Sequence, residues 1–104
     1  MAQFDVYENQ NPETKKYIPY LLDVQADLLD DLSTRVVVPL ITAAAMGKAA
    51  KHLNPKFKIL RTNVIMSTAE LAGVDLRILG DKVCSLKEHR TEIIAALDFL
   101  FTGF

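Results

Sequence analysis

Two histidines, one cysteine and a crowded run of aspartates are the residues best equipped for chemistry in this 104-residue chain. Cys84 sits in KVCSL, and a thiol nucleophile there would need a base. His89 follows on an adjoining predicted element, so the pattern reads as a small buried thiol rather than a reactive pair. His89 itself lies between Glu88 and Arg90 in the first turns of a predicted helix and reads as a surface residue. Asp23, Asp27, Asp30 and Asp31 have the spacing of neither a calcium loop nor a catalytic carboxylate pair. They read as a solvated turn with aspartates at a helix start. Metal-free RNA cleavage would need an acid–base pair and cations to hold a phosphate. Only Arg35 and Arg77, each with an acid nearby, offer that, and neither lies in a motif. The residues therefore predict no catalytic centre, no metal site and no cofactor.

The totals narrow the classes further. Half the residues are hydrophobic and the formal net charge is −1, so no global field draws the chain to nucleic acid or membrane. The length suits one domain over 1–104. A lone cysteine, with neither a basic start nor a long apolar run at MAQFDVYENQ, predicts a reducing, cytoplasmic setting.

The elements that must position these residues are mostly strands. Residues 3–7 alternate, with Phe4 and Val6 predicted inward and Gln3, Asp5 and Tyr7 outward. Polar ENQNPETKK (8–16) predicts an exposed hairpin loop, followed by a strand at 17–25 with Pro19 at an edge or bulge. Residues 26–34 predict a turn or a single helical turn. RVVVPLIT (35–42) predicts a buried strand whose ladder Pro39 disturbs. Residues 43–56 predict a short helix or ordered loop. Short strands are predicted at 57–60, 64–68 and 74–79.

SLKE at 85–88 has capping-box spacing and predicts a helix start, with Ser85 accepting from the backbone of Glu88. Leu86, Ile93, Ala96, Leu97 and Leu100 form an apolar stripe, and Gly103 is placed to end the helix in a left-handed conformation. Several strands and one final helix predict a small barrel or sandwich with the helix packed on it. Leu28 and Leu29 are adjacent on a turn, so they cannot both face one core.

QFDVY, LLDVQADLLD (21–30), RVVVPL (35–40), ILGDKV (78–83) and a closing helix that ends in Phe101-x-Gly103-x together resemble the CcdB family. The resemblance implies a mainly β SH3-like antiparallel barrel with one long C-terminal helix, assembled as a homodimer. It implies a toxin of a type II toxin–antitoxin system, a topoisomerase inhibitor with no chemistry of its own. The implied partner is the A subunit of DNA gyrase, trapped on cleaved DNA. A CcdA-like antitoxin with a disordered tail removes the toxin, and toxin and antitoxin together bind operator DNA as a transcription repressor. Loop 8–16 and segment 43–52 are expected to face the antitoxin.

Carried onto this chain, the gyrase-binding residues are Leu28, Leu29, Asp98, Phe101, Thr102, Gly103 and Phe104. One departure is visible. Thr102 stands where the family can have a Trp that stacks at the two-fold axis around a gyrase arginine. Two other readings share the fold: an RNA endonuclease toxin resembling MazF, and a non-toxic remnant of the family.

Overall fold

The computed structural model describes residues 1–103. Seven strands run in the order β1 (Asp5–Asn9), β2 (Tyr20–Asp23), β3 (Thr34–Thr42), β4 (Lys56–Ile59), β5 (Thr62–Met66), β6 (Ala72–Asp75) and β7 (Leu79–Ser85). Helix α1 (Ala43–Met46) follows β3, and α2 (Arg90–Thr102) follows β7 after one 3-10 turn, Lys87–His89. The strands form one curled antiparallel sheet in the order β4-β5-β3-β2-β1-β7, with β6 also on β3. The fold is mainly β with a C-terminal helix, as expected. Among the described residues no helix is long and apolar enough to cross a membrane.

Strand β3 organises the sheet. Its residues 37–40 pair with β2 along one edge. The other edge is divided: residues 34–37 pair with β6 and residues 40–42 with β5. Pro39 falls near the join, where its carbonyl accepts from the Ser67 backbone at 2.9 Å. A strand residue turns its N and C=O to the same edge, so the missing N–H of Pro39 falls where the ladder changes partner. The proline is absorbed rather than disruptive.

The main core lies on one face of the sheet. Phe4, Val6, Leu22, Val38, Leu40, Phe57, Ile59, Val64 and Met66 meet Leu86, Ile93 and Ala96 from the helical end. Each of these side chains except that of Ala96 contributes about 1.5–3 kcal/mol through burial. The stripe expected on α2 is present, though Leu97 and Leu100 are only half-buried.

The opposite face is buried as well, which corrects the alternation expected for β1. Asp5 and Tyr7 are as enclosed as Phe4 and Val6. Asp5 takes hydrogen bonds from the Ala2 backbone (3.0 Å) and the Tyr7 hydroxyl (3.3 Å), with Lys82 Nζ at 3.4 Å. These contacts replace the water the carboxylate loses.

Three further expectations are corrected. Residues 74–79 are not one strand. Asp75 accepts from the Arg77 backbone at 2.8 Å, and that Asx-type bond starts a 3-10 turn over Leu76–Ile78. Strand β7 was not foreseen at all. Its pairing with β1 carries register shifts, and its residues are largely half-exposed. At the helix start, Ser85 accepts from Lys87 (3.2 Å) instead of Glu88, because residues 87–89 wind as a 3-10 turn before α2 begins.

Candidate functional site

The predicted contact surface has two parts. The first is the 3-10 turn Asp27–Leu29 between β2 and β3. Leu28 is 97% exposed and Leu29 50%, so neither enters the core, and Leu32 just beyond is also exposed. A chain does not ordinarily hold bare leucines on a rigid turn unless something beneath fixes the turn.

That support is a buried polar network. Arg35, wholly enclosed, reaches Asp23 Oδ2 through Nε (3.1 Å) and Nη2 (2.5 Å), and Asp30 Oδ1 through Nη1 (2.9 Å). Gln25 closes the ring. Its backbone N–H donates to Asp23 Oδ1 (2.9 Å), its Nε2 to the Leu29 carbonyl (2.8 Å), and its Oε1 accepts from the Val36 backbone (3.0 Å). Among the described residues no buried side-chain polar atom is left unpaired. Burial pushes the Asp23 carboxyl above the usual range, opposed by the hydrogen bonds from Arg35 and the Gln25 backbone. Tyr7 is pushed up to about 12 by burial first, then by the charges of Asp5 and Asp23.

The solvated turn expected for the whole aspartate run is therefore corrected at one position. Asp23 is fully buried and structural, whereas Asp27, Asp30 and Asp31 are exposed. Sequence reasoning missed the Arg35–Asp23–Gln25 network. The only signal was an arginine embedded in an apolar strand, on the same face as Val37.

The second part is the end of α2. Asp98, Phe101, Thr102 and Gly103 are all exposed, Phe101 to 69%. Phe99 instead turns toward His52, ring centroids 6.1 Å apart. Two residues advance a helix by about 200°, so anchoring Phe99 directs Phe101 outward. The Thr102 hydroxyl donates to the Asp98 carbonyl at 2.6 Å. Gly103 adopts φ 79° and its N–H caps the Phe99 carbonyl at 2.9 Å, the left-handed ending expected. Phe104 lies outside the described residues.

The turn is tied to the start of α2 through Gln3. Its backbone N–H donates to Asp27 Oδ1 (2.7 Å), and its Oε1 accepts from Arg90 Nη1 (3.1 Å), while Arg90 also covers the Phe4 ring. The start of α2 lies about 17 Å along the helix axis from Phe101.

The residues weighed for catalysis are placed differently. Arg35 is sequestered, and Arg77 is exposed but held by Asp75 (Nη2–Oδ2 3.0 Å), which keeps the Asp75 carboxyl below its ordinary range. Cys84 is half-buried rather than enclosed, and its thiol is raised by burial and by Asp5. His89 packs edge-on against Phe57 with ring centroids 5.2 Å apart, and its Nδ1 lies 3.3 Å from Glu92 Oε1.

A family model described as "CcdB protein" matches residues 3–103, nearly the whole chain. Together with the curled antiparallel sheet and its terminal helix, that match means that the chain belongs to the CcdB family, the toxins of CcdA/CcdB toxin–antitoxin systems.

Proposed function

We propose that this chain binds the A subunit of DNA gyrase and traps the enzyme on cleaved DNA, using Leu28, Leu29, Asp98, Phe101, Thr102, Gly103 and Phe104. The observation that carries this reading is exposure. Leu28 and Phe101, the large apolar residues at the heart of the two expected contact segments, are 97% and 69% accessible, although each stands on a well-braced element. Large apolar side chains kept wet on rigid supports are the anchors that partners bury. In this reading the protein acts in the cytoplasm as a homodimer and performs no catalysis. A CcdA-like antitoxin displaces it from gyrase, and toxin and antitoxin repress their operator together.

The MazF-like reading has less support. Arg35, one of its two candidate phosphate-holding cations, has no exposed surface.

The test is induced expression in a gyrase-sensitive host, comparing the wild type with Gly103→Glu and with a chain lacking the last three residues. Growth arrest by the wild type, relieved by a gyrase A-subunit resistance mutation and absent in both folded variants, is expected. A folded truncation that still kills would refute the site. Cleavage of RNA by the purified protein would refute the non-enzymatic reading, and no arrest at all would mark a non-toxic remnant.

A further inference from the structure

Charge is segregated along this chain. Between Asp31 and Glu70 there is no carboxylate, whereas Arg35, Lys48, Lys51, Lys56, Lys58 and Arg61 are basic. All of these but Arg35 are exposed. Among the described residues none of those five exposed cations forms an ion pair. They belong to the β4–β5 hairpin and the segment leading into it. Glu92 of α2 lines a depression shared with Lys51 and Lys56, with its Oε1 3.3 Å from His89 Nδ1.

The same hairpin carries an open edge. Strand β4 ends the path of the sheet and pairs only with β5, closing on the two-residue loop between Ile59 and Thr62. In an antiparallel ladder closed this way, Ile59 and Phe57 bond inward to β5, and the main-chain groups of Lys58 and Lys56 face outward. Phe57 and Ile59 point into the core, while the two lysine side chains stand together on the solvent face. That face holds a shallow hollow of ≈ 400 Å³ lined in part by Lys56, Lys58, Asn63 and Ala43.

We propose that the outer edge of β4 docks an acidic, extended peptide, which adds to the sheet as a further strand with carboxylates opposite Lys56 and Lys58. Strand addition satisfies the free main-chain groups, and alternate acidic residues meet the lysines on one face. A second copy of β4 is repelled by the same lysines. A nucleic-acid duplex would use the charge but leave the strand edge unpaired. Phe57, the aromatic residue of β4, is buried and offers no stacking platform for single strands. This surface is separate from the proposed gyrase contact and does not depend on it.

The test uses the full chain and a fluorescein-labelled peptide, Glu-Val-Glu-Thr-Glu-Val-Glu. Saturable binding that weakens with salt is expected, with slowed amide exchange at Lys56 and Lys58 in the complex. Lys56→Glu with Lys58→Glu weakens binding about tenfold or more. Both side chains are exposed, so the fold persists, and Lys56→Gln with Lys58→Gln gives a smaller loss. A Lys-for-Glu peptide and a backbone N-methylated peptide do not bind. Equal binding of the N-methylated peptide, unchanged exchange at both amides, no binding at all, or tighter binding of a duplex DNA oligonucleotide each overturns the proposal.

Discussion

Arg35 sets Nε and Nη2 on the same oxygen of Asp23, at 3.1 and 2.5 Å, and neither side chain has any exposed surface. The pair sits directly beneath the turn that displays Leu28 and Leu29. Two desolvated charges stabilise a fold only when their geometry and remaining hydrogen bonds are good, and here Gln25 and Asp30 complete both sets.

Removing one partner leaves the other charge buried without its counterpart. Asp23→Ala is expected to cost about 3–5 kcal/mol in urea unfolding. The double substitution Asp23→Leu with Arg35→Met is expected to recover most of that loss, yet to loosen the 27–29 turn, seen as faster amide exchange at Leu29. A double variant no more stable than Asp23→Ala would show that packing, not charge, dominates the site.

Tyr7 supplies a pH dependence. Its folded-state value near 12 lies above the ordinary 10.0, so the fold favours the neutral phenol. The stability this confers is complete below pH 10 and is lost as pH rises from 10 through 12. Tyr7→Phe keeps the ring and cannot ionise. Urea midpoints at pH 9 and pH 12 are expected to fall further for the wild type than for Tyr7→Phe; equal falls would contradict the assignment.

Leu60 opens the β4–β5 loop with φ 56°, a region costly for a side chain branched beyond Cβ, and it is 72% exposed. Glycine adopts that backbone without strain. Leu60→Gly is expected to stabilise the protein by about 0.5–1 kcal/mol in thermal or urea unfolding, despite removing an apolar side chain. Destabilisation would mean that Leu60 makes contacts that outweigh its backbone.

Thr102 stands where the resemblance to the family implies that a Trp can occur at the helix tip. Its hydroxyl serves the Asp98 carbonyl, so it has a local role and no large surface. If the tip meets a gyrase arginine, Thr102→Trp adds stacking and cation–π attraction of about 0.5–2 kcal/mol per contact. Affinity for a gyrase A-subunit fragment, read by calorimetry, is expected to tighten about two- to thirty-fold. Unchanged or weaker affinity would place the contact elsewhere.

What could be read from the sequence was local or periodic. The left-handed ending at Gly103 needs only one residue type after an apolar stripe. Residues 35–42 declare a strand through three valines. What escaped was set by distant parts of the chain. Asp23 looked like its exposed neighbours because its partner, Arg35, is brought to it by the β2–β3 register. Strand β7 escaped because its residues alternate poorly, and its partner β1 defines it through an irregular ladder. The 3-10 turn at Leu76–Ile78 interrupted a convincing alternation because one side-chain bond from Asp75 outweighed weak strand propensity. At the candidate site, both leucines proved exposed where adjacency alone implied one.

The hydrogen bond from the Gln3 backbone to Asp27 bears on how this protein is purified and immobilised. A fusion tag or sensor-surface linker placed ahead of residue 1 emerges beside the leucine-bearing turn. Such an attachment shields part of the proposed contact surface.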